Sequence, residues 1–146
     1  MDKATKIKNL RESVRQMERK LGILEESEVS CHGISLAQCH ALVEIGRAKS
    51  ISLIELSELL NLDSSTMSRT VNNLVNNGMA GRELDSNDRR YVTIKLTENG
   101  LKKFMRIEDN MNLYFTNIFE SIPCEKQEQV LESLQILVAA IAKNDQ

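Results

Sequence analysis

The sequence predicts a mostly helical chain with one small β-hairpin, and three observations predict it. Apolar residues recur at helical spacing through most of the 146 residues. Capping signals mark three closely spaced helix starts at Ser35, Ser52 and Asp63. Residues 91–96 instead alternate apolar and polar side chains, the period of a half-buried strand. A single proline and six glycines are too few for an all-β fold, which needs turn residues every few positions. Aromatic residues are 3% of the chain and tryptophan is absent, so the core is expected to be Leu, Ile, Val and Met. A chain of this length can form one compact domain without disulfides or metal.

Each element follows in order. Ile7, Leu10, Val14, Met17, Leu21 and Leu24 are separated by three and four residues alternately, which predicts a helix with one narrow apolar seam. Such a seam packs on a second helix at a shallow angle, in the same chain or in another. Ser35 with Gln38 and Ser52 with Glu55 read as capping boxes, and Ile51 with Leu56 as a hydrophobic staple. Asp63 is a third cap, with Leu62 and Met67 as its staple. The resulting helices span about 36–47, 53–60 and 64–77, the last ended by Gly78 at C′. Residues 79–84 and the strand through Val92, Ile94 and Leu96 pair around a turn-rich tip, 85–90. Thr97 caps a helix whose apolar face is Leu101, Phe104, Met105, Met111, Phe115 and Ile118. Pro123 stands near the start of a last helix, with Val130, Leu131, Leu134, Leu137, Val138 and Ile141 as its buried stripe.

Two helices of about 8 and 14 residues joined at Asn61-Leu62, then a polar-tipped hairpin, is the order of a winged helix-turn-helix. On the second of these helices Met67, Val71, Leu74 and Val75 share one face, and Ser65, Arg69, Asn72 and Asn73 lie opposite with Thr66 beside them. Exposed helix faces usually favour Glu and Lys; here Ser, Thr and Asn sacrifice helix propensity, and no acid follows Asp63 within the helix. That is a face suited to a polyanion, with Arg69 able to chelate guanine or phosphate and Asn72 adenine. Overall charge says little: the net is -2, and residues 47–96 hold seven basic against six acidic side chains. The charged N-terminus lacks a signal-peptide apolar region, and no run reaches the length of a membrane span. A cytoplasmic location, no membrane partner and no structural disulfides are therefore expected. No phosphate loop, nucleophile motif or metalloprotease signature is present, so an enzyme is not expected.

Residues 51–100 resemble the DNA-binding lobe of the MarR family, the multiple-antibiotic-resistance-type regulators. The resemblance rests on Leu-Ser-Glu-Leu-Leu, Ser-Thr-Met-Ser-Arg-Thr-Val, Asp-Arg-Arg at the hairpin tip and Leu-Thr-Glu-Asn-Gly after it. It implies a winged helix-turn-helix lobe over 35–100 in a single domain, 1–146, with long dimerisation helices at 1–30 and 101–146. It also implies double-stranded DNA as partner, a homodimer, and a repressor that leaves a short inverted repeat when an effector binds. DNA contacts are expected from Ser64, Ser65, Thr66, Ser68, Arg69, Asn72, Asn73, Asp88, Arg89 and Arg90, with Arg90 in the minor groove steadied by Asp88. A winged-helix adaptor for proteins, without DNA binding, is the alternative.

Both histidines and two of the three cysteines gather in residues 31–40. Cys31, Cys39 and His40 are candidate sensor residues on three readings: core filler, a soft metal site completed by a residue such as Glu108, or an oxidisable thiol. No cofactor is required; a soft metal ion, an oxidant or a small molecule is the candidate effector.

Overall fold

The computed structural model describes residues 1–85, 87, 88 and 91–145, the side chains of 23–32 excepted. It contains six α-helices and three strands: α1 (Lys3–His32), α2 (Leu36–Ala48), β1 (Ile51–Ser52), α3 (Leu53–Leu60), α4 (Ser64–Asn76), β2 (Ala80–Leu84), β3 (Val92–Leu96), α5 (Glu98–Glu120) and α6 (Gln127–Ala142). Two compact units divide within α5, one covering 1–107 and the other 108–146. No helix of the described residues is long and apolar enough to cross a membrane.

The three helix starts form where the caps place them. Ser35 has the reciprocal box: its hydroxyl accepts the Gln38 N–H, and the Ser35 N–H donates to the Gln38 side chain at 3.1 Å. Ser52 also accepts the backbone N–H of Glu55. Its own hydroxyl, however, donates to the Glu55 carboxylate, so the expected box becomes a hydroxyl–carboxylate pair. Ile51 and Ser52 also form a two-residue strand, β1, opposite Ile94 and Thr93. That third strand was not expected from the sequence, because two residues carry no detectable alternation.

The sheet order is β1-β3-β2, antiparallel throughout, with Ala80 opposite Leu96 and Arg82 opposite Ile94. The core of the first unit sits between this sheet and α2, α3 and α4. Leu42, Ile45, Leu56, Met67, Val71, Leu74 and Ile94 have no exposed surface, each such side chain contributing about 1.5 to 3 kcal/mol by burial. Ile107 of α5 is buried too, although the sequence pattern did not single it out.

A knot of backbone contacts joins α4, the hairpin and α5. Gly78, at φ 75°, ends α4 in a Schellman arrangement: its N–H donates to Val75 O and the Met79 N–H to Leu74 O. The Thr97 N–H donates to Met79 O, and the Thr97 hydroxyl both donates to Gly78 O at 2.6 Å and accepts the Gly100 N–H at 3.1 Å. A Cβ on Gly100 would overlap the Met79 carbonyl oxygen, so the first turn of α5 can lie this close to β2 only with glycine there.

The long helices differ from expectation in one respect. The α6 stripe predicted to be buried is uncovered in a single chain: Leu131, Leu134, Val138 and Ile141 are exposed, as are Ile7, Leu10 and Met17 of the α1 seam. The pattern of apolar residues identifies a face to be covered without saying which chain covers it. At the turn between α5 and α6, Pro123 precedes a 3₁₀ turn, Cys124–Lys126, and the Gln127 amide caps the carbonyls of Phe119 and Ile122.

Gly100→Ala is expected to destabilise the first unit by roughly 1 to 3 kcal/mol or more, because backbone must move to admit the methyl group. Gly22→Ala, where the added carbon meets nothing within 4 Å, is expected to be neutral or stabilising by up to about 1 kcal/mol. Urea denaturation of both variants checks the pair; equal effects would contradict the close approach at Gly100.

Candidate nucleic-acid interface

The helix-turn-helix is set by two left-over ends. Helix α3 stops at Asn61, which adopts the left-handed conformation at φ 53°; its N–H donates to Glu58 O and the Leu62 N–H to Ser57 O. Asparagine tolerates that region better than other residues with a side chain, so the chain turns here without glycine. Two residues later Asp63 starts α4, its carboxylate accepting the Thr66 N–H at 2.9 Å. Hydrogen bonding from Thr66, by side chain and then backbone, holds the Asp63 carboxyl below its ordinary range against a small desolvation effect, with Arg69 adding a weak attraction.

Four α4 side chains are buried: Met67, Thr70, Val71 and Leu74, while Val75 is only half-buried. Thr70 is the member the apolar pattern missed. Its hydroxyl donates to Thr66 O at 3.0 Å and so enters the core satisfied, as the Ser57 hydroxyl does through Leu53 O. This buried face fixes the rotation of the helix. Ser64, Ser65, Arg69, Asn72 and Asn73 are exposed together, and Thr66 and Ser68 are half-buried at its flanks. The helix thus presents hydroxyls, amides and one guanidinium with no carboxylate beyond its cap, groups that can bond base edges and phosphates.

The hairpin tip is built by its own backbone. Asp85 N–H donates to Tyr91 O, the Tyr91 N–H to Asp88 O, and the Asp85 carboxylate accepts the Asn87 N–H at 2.8 Å. Asp88 is half-buried; Arg89 and Arg90, its expected companions, lie outside the described residues. One residue not singled out from the sequence belongs to the same surface. Arg82 of β2 lines a groove with Ser68 and Asn72 of α4, and only the strand register reveals this placement.

The candidate sensor residues Cys39 and His40 differ in exposure. Cys39 is buried at 8% exposure, whereas His40 is exposed; neighbours on a helix point roughly 100° apart. The Cys31 side chain lies outside the described residues, and among those described no three His, Cys, Asp or Glu side chains are grouped to hold a metal ion.

Residues 34–92, which span α2, the helix-turn-helix and the hairpin up to β3, match the model of the MarR family. That stretch is similar to the MarR family. Across 112 residues it is 27% identical to the HTH-type transcriptional regulator BilQ of Clostridium symbiosum, covering 77% of this chain and 78% of BilQ. The winged fold around the matched stretch is also that of solved structures. FabT of Streptococcus pneumoniae in complex with DNA aligns with a TM-score of 0.85 at 20% identity, covering 95% of this chain and 99% of that one. NadR in complex with 4-hydroxyphenylacetate aligns with a TM-score of 0.76 at 21% identity, covering 92% of each. The matched stretch contains α4 and β2 entire, so the exposed polar face described above lies inside it.

The Asp63 cap makes the start of α4 sensitive to acid. Because its carboxyl titrates lower in the folded chain than in the unfolded one, its contribution is complete above the unfolded value near 4 and fades as pH falls through the folded one. Asp63→Ala is expected to be less stable than the wild type at pH 7, with the gap narrowing below about pH 4. Denaturation at pH 7 and pH 3 checks this; a constant gap would mean that the carboxylate charge does not matter to the cap.

Proposed function

We propose that the chain is a homodimeric, sequence-specific DNA-binding transcription regulator that represses from a short inverted repeat and is released by a small effector. The observation that carries the DNA-binding part is the outer face of α4, where exposed Ser, Asn and Arg side chains stand on a helix whose rotation is locked by Met67, Thr70, Val71 and Leu74. A helix of this kind fits a major groove about 12 Å wide, with Arg69 toward base edges and the hairpin tip toward the backbone or the neighbouring minor groove. The solved complex of FabT with DNA supports the reading by its fold, and BilQ by its name. The absence of acids on this face in α4 argues against a protein adaptor, for which mixed charge would serve better.

The dimer rests on surface the single chain leaves bare. Ile7, Leu10 and Met17 of α1, Leu113, Phe115 and Ile118 of α5, and Leu131, Ile136, Val138 and Ile141 of α6 are all exposed, more large apolar surface than a soluble monomer ordinarily shows. A second copy covers such faces and also doubles the DNA contacts on a two-fold site. For the effector, the ligand-bound NadR structure favours a small organic molecule. The burial of Cys39 favours a packing role for that thiol over ligation or oxidation.

In a gel shift against genomic fragments the wild type should retain a subset at moderate salt. Arg69→Ala should weaken that specific binding by about 1 to 3 kcal/mol, with a smaller loss on random duplex. Retention of no fragment even at low salt would favour the adaptor. Equal losses on both duplexes would make Arg69 a phosphate contact only. In sedimentation the full chain should run at twice its mass, and removal of residues 1–24 should abolish the dimer or the fold, since six seam residues are worth about 1.5 to 3 kcal/mol each when fully buried. A truncated chain that remains a folded dimer would remove α1 from the interface.

A further inference from the structure

From the groove between α4 and the sheet we infer a phosphate seat made by Arg82, Ser68 and Asn72, which grips the one DNA strand that must pass between the recognition helix and the wing. The inference rests on the DNA-binding reading and adds a residue and a role that neither the motifs nor the family resemblance assigned.

Strand register carries the first part. Arg82 stands opposite Ile94 on β3, and paired residues of an antiparallel ladder project from the same face of the sheet. Ile94 is fully buried against the helices, and Ala80, two residues before Arg82 and on the same face, is buried as well. Arg82 therefore leaves the sheet on the helix side yet remains exposed, on the edge strand of the sheet. The helix phase of α4 carries the second part. With Met67, Thr70, Val71 and Leu74 facing inward, Ser68 and Asn72 fall on one flank of the outer face, while Ser65, Arg69 and Asn73 fall on its centre and opposite flank. The two meet: Ser68, Asn72 and Arg82 line one groove of about 310 Å³, with Leu53, Val92 and Ile94 as its apolar wall.

Charge carries the third part. Arg82 has no ion-pair or hydrogen-bond partner among the described residues. The acid next to it in sequence, Glu83, projects from the other face of the strand and lies 3.6 Å from Lys95. A guanidinium, a hydroxyl and a carboxamide that converge without a carboxylate fit an anion with several acceptor oxygens. Duplex geometry names that anion. A helix in the major groove and a wing at the adjacent minor groove are separated by a single sugar-phosphate strand, so a phosphodiester has to cross the cleft between α4 and the hairpin. Arg82 and Ser68 then hold the phosphate, and Asn72 turns toward it, so Asn72 acts as a backbone contact in place of the adenine reader expected from sequence.

The test measures fluorescence anisotropy at several salt concentrations. Two duplexes of equal length are used: a genomic fragment that the wild type retains, and a random sequence. Arg82→Met keeps the aliphatic stem against the apolar wall and removes the charge. It should lose roughly 10- to 100-fold affinity at low salt, equally on both duplexes, and its salt slope should fall by about one phosphate unit. Arg82→Lys should recover the slope. Asn72→Ala should also lose equally on both duplexes and couple to Arg82→Met in a double-mutant cycle. An unchanged slope for Arg82→Met, or a loss confined to the genomic fragment, would overturn the phosphate seat while leaving DNA binding intact. A wild type that binds neither duplex would overturn both the seat and the DNA-binding reading.

Discussion

The Thr97 hydroxyl is shared between the end of one helix and the start of another, donating to Gly78 O and accepting from Gly100 N–H, and the interface geometry follows from that sharing. Four chain segments meet there: Gly78 after α4, Met79 before β2, Thr97 after β3 and the first turn of α5. Each brings a backbone group that would otherwise be left without a partner at an element end. Glycine at 78 lets the chain reverse, and glycine at 100 lets α5 approach the Met79 carbonyl. The direction in which β2 departs from α4 is thereby tied to backbone hydrogen bonds, and so is the width of the cleft that contains Arg82, Ser68 and Asn72. Small errors at such a junction would be amplified along the strands, since the hairpin tip lies several residues beyond it.

Much of this was legible in the residues. Ser35, Ser52 and Asp63 are short polar side chains directly before apolar runs of helical period, so the helix starts could be read within a residue or two of where they occur. Gly78 marked the end of α4 for the same local reason. Features that depend on partners distant in sequence were less legible. The two-residue strand β1 exists because β3 lies beside it, Gly100 matters because of Met79, and Arg82 faces α4 because of its register with Ile94. Thr70 reads as polar and is buried, since a hydroxyl that bonds its own helix enters a core at little cost. The α6 stripe shows the converse limit: helical spacing reveals an apolar face and is silent on what covers it.

The recognition surface combines a hard foundation with a permissive exterior. Met67, Val71 and Leu74 are wholly buried, so truncating any of them would cost packing energy in a core shared with α2 and the sheet. Ser65, Arg69, Asn72 and Asn73 contribute little to that core and can change with small effect on folding. The exposed polar side chains and the packing that holds the fold therefore lie on opposite sides of one helix, separated by half a turn. The sacrifice of helix propensity at the Ser, Thr and Asn positions is local, and the caps at Asp63 and Gly78 offset part of it.

The hairpin has an architectural consequence of another kind. Its root is clamped at Thr97 and Gly78, while bonds among Asp85, Asn87, Asp88 and Tyr91 shape the described part of its tip. Base and tip thus draw on different sets of bonds. A change of length between Leu84 and Val92 would fall on the tip, since the bonds of the root run through Gly78, Met79, Thr97 and Gly100. A lineage of such chains could lengthen or shorten its reach along the duplex while keeping its reading head in place, and evolve target spacing independently of target sequence.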